Sequence, residues 1–286
     1  MISDITLGQF FPGNSVLHRL DPRTKIILTV AFIVSVFFAN NPVAFAFLTL
    51  AVCFMTALSR ISLKVVLKGI KPIILIILFT AIINVFMTTG EGEPLIEFWI
   101  IKIYTRGIVR AVFMAVRVIL LIMGSSVLLT YTTSPIALTD GLESLLSPLK
   151  VIKLPVHTFA MMMSIALRFI PTLVEETEKI MNAQKSRGAD FSNGSLVERA
   201  KALIPLLIPL FVSSFKRAEE LATAMECRCY RGDKNRVKLN KLEYHGIDWA
   251  WFLLFALFVA LLVCLSVLPY SFGVDNELYK ILFYKI

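Results

Sequence analysis

The feature that most restricts how this chain can fold is the clustering of its apolar residues into long runs, over residues 26–39, 43–58, 72–87, 107–131 and 252–268. Runs of about 17–25 apolar residues match the hydrocarbon thickness of a bilayer once the turns that open and close them are included. Lipid offers no partners to backbone N–H and C=O groups, so such runs form helices, which satisfy those groups internally. The chain is 57% hydrophobic and only 17% charged. Soluble domains carry about 45–50% apolar and about 25% charged residues. The expectation is an all-α membrane protein with about five transmembrane helices.

The net charge of +9 would suggest nucleic acid in a soluble protein. Here the basic residues flank the apolar runs, as the positive-inside bias predicts, and no aromatic-basic recognition module accompanies them. Nucleic acid is therefore not an expected partner; the lipid bilayer is. Arg19, Arg23 and Lys25 precede the first run and predict a cytoplasmic N-terminus. The start lacks the layout of a cleaved signal, so the first run is read as a permanent span. Asp21-Pro22 predicts an N-cap followed by a proline at the first helical position.

Three regions follow in order. Residues 1–131 hold four of the spans. Within them, 60–71 is a basic amphipathic stretch suited to the interface. Residues 88–97 predict an outer loop, and 98–104 an apolar segment too short to span. Arg117 falls inside the fourth run, where it must face protein, water or a headgroup; it is either a buried structural partner or a contact to another membrane subunit. In 132–245 charge returns and the pattern becomes amphipathic, predicting a cytoplasmic domain of amphipathic helices. It holds a short helix at 136–146 and two long ones, 155–187 kinked at Pro171 and 195–228 bent at Pro205 and Pro209. Ser195 and Glu198 have capping-box spacing. Ser214, Ala218 and Ala222 form a stripe of small residues that permits a close helix crossing. Residues 246–286 hold the last span and a tail, with Trp249 and Trp251 as interfacial anchors.

Chemistry is sparse. There is no P-loop, zinc-protease or nucleophile-elbow motif. His18, His157 and His245 are far apart, and Cys227-x-Cys229 lacks the further ligands a zinc site needs. No catalytic or metal-binding residue is expected.

What remains is two helix ends. Ala183-Gln184-Lys185-Ser186-Arg187-Gly188 and Ala224-Met225-Glu226-Cys227-Arg228-Cys229 share an alanine four positions before an arginine. An exposed guanidinium at a helix end can pair bidentately with a carboxylate on another protein; it can equally just complement the helix dipole.

With these ends, and with Leu17-His18-Arg19-Leu20-Asp21-Pro22-Arg23-Thr24-Lys25 near the start, nearly the whole chain resembles the transmembrane T component of energy-coupling factor (ECF) transporters. The resemblance implies a non-catalytic subunit in a prokaryotic cell membrane, part of an ATP-driven importer of a vitamin or metal ion. It implies two ABC-type ATPase subunits as partners, which would carry ATP and magnesium; no cofactor is expected on this chain. It implies a substrate-binding S component, dedicated or exchangeable. Ala183, Ser186, Arg187 and Gly188, and Ala224, Glu226, Cys227, Arg228 and Cys229, are the expected ATPase contacts. Met161, Met162, Met163 and Phe169 are expected on the S-component surface. The first end has a conventional glycine stop, whereas Cys229 stands where a glycine is expected. This predicts two tips of different local backbone, suited to two non-identical ATPases. The alternative is a stand-alone secondary carrier, which the lack of acidic residues in the spans and of inverted repeats disfavours.

Overall fold

The computed structural model describes residues 10–87, 96–98, 101–152, 155–189, 191, 195–230, 232 and 242–267. The elements are α1 (Pro22–Phe38), α2 (Pro42–Ser59), α3 (Leu63–Ile70), a 3-10 turn at Lys71–Ile73, α4 (Ile74–Met87), the short strands β1 (Ile96–Phe98) and β2 (Ile101–Ile103), α5 (Thr105–Ser125), a π-helical turn at Ser126–Thr130, α6 (Pro135–Leu146), a 3-10 turn at Ser147–Ile152, α7 (Val156–Ser186), α8 (Leu196–Cys227) and α9 (Gly246–Val267). This is an all-α membrane protein. Its small antiparallel hairpin, with Ile96 opposite Ile103, falls where a single apolar segment was expected at 98–104. Most of the expected loop before it, residues 88–95, lies outside the described residues.

Five helices are long and apolar enough to cross a membrane: α2, α3 with α4, α5, α7 and α9. The expected first span, α1, has 17 residues, the lower limit for crossing. α7 qualifies through its apolar first half, although residues 155–187 were expected within a cytoplasmic domain.

The described residues fall into two compact units, one within Gln9–Gly141 and Leu242–Ile286, the other within Leu142–Lys241. The first is built on α1, α2, α5 with the π-helical turn that continues it, and α9, whose Phe32, Leu48, Val127 and Leu262 are completely buried. α1 and α5 approach so closely that a Cβ on Gly124 would come within 2.3 Å of the Phe32 ring. Any larger residue there requires the buried Phe32 ring to move.

Arg117, in α5, is a structural partner. Its Nη2 donates to the Ala39 carbonyl at 2.7 Å, and its guanidinium lies 5.3 Å from the centre of the Phe45 ring. It satisfies a carbonyl at the end of α1 that lipid could not.

The sequence stretch around Asp21 closes the other end of this unit. Asp21 caps α1 by accepting from Arg23 N–H at 2.8 Å. Asp248, in the first turn of α9, accepts from Asp21 N–H at 3.0 Å and from His245 N–H at 2.9 Å. Lys25 is buried between them and donates to the Thr132 carbonyl at 2.8 Å. Arg23 donates to the Leu242 carbonyl at 2.7 Å and stacks over Tyr244. A buried charge is tolerated only when paired and hydrogen-bonded; here Asp248 ties the start of α1 to α9, Arg23 ties it to the segment before α9, and Lys25 ties it to Thr132.

Candidate functional site

The second unit is dominated by α7 and α8, of 31 and 32 residues. At 1.5 Å per residue each is about 47 Å long. Both start and stop by local rules. Ser195 caps α8 and forms a reciprocal capping box with Glu198. Pro171, Pro205 and Pro209 sit inside the helices.

The helices run antiparallel. Near one end, the Tyr230 hydroxyl contacts the Met161 sulfur at 3.3 Å. In the middle, Ile165, Phe169 and Leu173 face Ser214, Ala218, Leu221 and Ala222 across a groove of about 260 Å³. The small-residue stripe therefore lines the crossing. Further along, Arg217 donates to Glu176 Oε2 at 2.7 Å, and Ser213 donates to the other oxygen of the same carboxylate. Sequence reasoning missed this bridge. Glu176 is one of several acidic residues in the second half of α7, and only the pairing of the helices singles it out.

Antiparallel pairing sends the two tips to opposite ends of the helix pair. At the α7 tip, Gly188 N–H donates to the Lys185 carbonyl at 2.9 Å and Ala189 N–H to Gln184 at 3.0 Å. At the α8 tip, Cys229 N–H donates to Glu226 at 2.8 Å and Tyr230 N–H to Met225 at 3.0 Å. These are the two bonds of a Schellman motif, made twice with the same spacing. Arg187 and Arg228 are the capping residues, with φ, ψ of −89°, 6° and −86°, 13°. The residue after each is left-handed: Gly188 at φ 88° and Cys229 at φ 58°.

The expectation of two different backbones is thus corrected. Cys229 adopts the conformation that a glycine would take, because the six-residue cap is closed by its own hydrogen bonds and its last residue, Tyr230, is half-buried. Left-handed backbone costs a residue with a Cβ about 1–2 kcal/mol, which two satisfied carbonyls can offset.

Around each cap the expected contact residues are open to solvent: Ala183, Ser186, Arg187 and Gly188 at one tip, Ala224, Glu226, Cys227, Arg228 and Cys229 at the other. Gln184 and Met225 are half-buried under the caps. Of the residues expected on an S-component surface, Met162 and Met163 are exposed, Met161 lies beneath Tyr230, and Phe169 lines the groove. Among the described residues no group of three His, Cys, Asp or Glu could hold a metal ion.

Comparison with known proteins places this architecture. The family model described as cobalt transport protein, CbiQ, matches residues 13–239. An energy-coupling factor transporter transmembrane protein of Ruminiclostridium cellulolyticum is 54% identical over 248 residues, 87% of this chain and 92% of that protein. The protein of the same name from Clostridium kluyveri is 47% identical over 268 residues, 94% of this chain and 97% of its own length. That from Bacillus subtilis is 50% identical over 248 residues, 87% of this chain and 93% of its own. With five helices fit to cross a bilayer, the chain is a multi-pass membrane protein and belongs to the family of energy-coupling factor transporter transmembrane proteins.

Proposed function

We propose that this chain is the energy-coupling subunit of an ATP-driven importer and that Arg187 and Arg228 dock one ATPase subunit each. The observation that carries this reading is the repetition of one cap, with an exposed capping arginine, at opposite ends of an antiparallel helix pair. A single exposed arginine at a helix end is explained by the helix dipole. Two built alike, facing opposite ways, suit a pair of related partners that approach from both sides. ATP and magnesium belong to those partners, and this chain takes no chemical step.

Closure of the ATPase pair moves the two tips, and the helices carry that motion to a membrane-embedded S component. That partner needs an apolar surface on the helix pair. Met162 and Met163 on α7 are exposed, and so are Leu207, Phe211 and Phe215 on α8. Met is an adaptable contact residue, which suits one or several S components. The cargo, a vitamin or metal ion, is chosen by that component. The tips and the start of α1 face the cytoplasm.

The test is co-purification. In the variant carrying Arg187→Glu and Arg228→Glu the chain should insert in the membrane at wild-type yield and retain no ATPase. Recovery of the ATPases in unchanged amount would overturn the reading.

A further inference from the structure

The basic segment before α4 contributes nothing to the site just described. α3 is divided lengthwise into three stripes. Val66 and Ile70 turn inward, 2% and 7% exposed. Leu63 and Leu67, one helical turn apart, are open, at 55% and 56%. Lys64, Lys68 and Lys71 follow at i, i+4 and i+7 on the adjoining face, and all three are exposed. No described residue pairs with any of them. From Pro22 to Gly90 the chain carries no Asp or Glu, so this positive charge has no local counter-charge in sequence either.

The position is as informative as the pattern. α3 passes through the turn at Lys71–Ile73 directly into α4, whose Leu75, Ile76, Leu78 and Phe79 are exposed and apolar. The lysines therefore stand over about 10 Å of helix at the N-terminal end of the α3–α4 span, where a membrane helix meets the headgroup layer. Open leucines beside open lysines are the two faces of an interfacial helix: the leucines enter the acyl boundary and the lysine stems snorkel along it to reach phosphate.

We propose that Lys64, Lys68 and Lys71 form a binding site for anionic phospholipid, with Leu63 and Leu67 seating the start of its acyl chains. Charge complementarity and the continuity of this face with a lipid-exposed span select a lipid over a soluble phosphate.

The experiment uses the full chain, delipidated in a neutral detergent and titrated with dioctanoyl phosphatidylglycerol, bound lipid being counted by native mass spectrometry. The wild type should bind it at least tenfold more tightly than dioctanoyl phosphatidylcholine. One basic residue near a charged membrane surface contributes about fivefold, so the variant K64Q/K68Q/K71Q should lose most of that preference. The variant K179Q/K201Q/K216Q, with the same charge change on exposed residues of α7 and α8, should keep it, and K64R/K68R/K71R should bind like the wild type. Equal affinity for the two lipids, equal loss in both glutamine variants, or displacement of the lipid by glycerol phosphate at matched concentration would overturn the proposal.

Discussion

Laid position against position, the α7 and α8 tips share a backbone and little else. Gln184 matches Met225, Lys185 matches Glu226, Ser186 matches Cys227, Gly188 matches Cys229 and Ala189 matches Tyr230, with Arg187 and Arg228 as the constant. The cap hydrogen bonds agree to within 0.1 Å. Yet Lys185 and Arg187 put two positive charges on one tip ahead of Asp190, while on the other Glu226 sits beside Arg228 ahead of Arg231. The support differs too. Tyr230 fastens the α8 tip to Met161 of α7, whereas the last described side-chain hydrogen bond between the two helices toward the α7 tip is at Glu176. If each tip docks one ATPase as proposed, the common shape is what the two partners would share, and charge is what would tell them apart.

The constant element should show the largest effect. Arg187→Ala and Arg228→Ala should each weaken ATPase binding by about tenfold to a hundredfold, the worth of a charged hydrogen bond of about 1.5–3 kcal/mol. Titration of the separate ATPases against each variant checks this, and a large effect at one tip alone would break the equivalence.

Next comes the left-handed position. Gly188→Val should fray the last turn of α7 by about 1–2 kcal/mol or more, seen as faster hydrogen exchange at the Gly188 and Ala189 amides.

Exchanging the charges, Lys185→Glu with Glu226→Lys, should alter affinity by at most about fivefold, since an exposed charge pair contributes about 0.2–1 kcal/mol. The more telling readout is salt. Binding at the α7 tip should be the more salt-sensitive in the wild type, and the exchange should move that sensitivity to α8. Salt responses that stay where they were would mean charge does not distinguish the partners.

Smallest of all is Cys229→Gly. It relieves the left-handed cost but adds freedom to the unfolded chain. The net should be a gain of a few tenths of a kcal/mol to about 1 kcal/mol, visible as slower exchange at the Tyr230 amide.

The parts of this molecule legible in its sequence are those set by local rules. Apolar runs marked α2, α4, α5 and α9 among the membrane-crossing helices but not α7, Asp21-Pro22 and Ser195-x-x-Glu198 marked two helix starts, and the paired arginines marked both tips. What local pattern could not give were pairings distant in sequence. Asp248 looked like an ordinary first-turn aspartate until α9 was set beside α1, and Arg117 found its carbonyl 78 positions away. Two local features were misjudged: the hairpin at 96–103, and the backbone at Cys229, which came from treating glycine as a requirement of the cap. Glycine is only its cheapest occupant, and a cap with all its bonds made can hold another residue there.

The position of Glu176 has a consequence for leverage. From Glu176 to Arg187 α7 continues for eleven residues without a proline, a stiff arm of about 16 Å. A partner that shifts Arg187 sideways by about 4 Å turns that arm through about 14°, taking the helix rise as fixed. The bidentate hold on Ser213 and Arg217 lies at its root, so a movement too small to alter the shape of either tip reaches α8 as a torque.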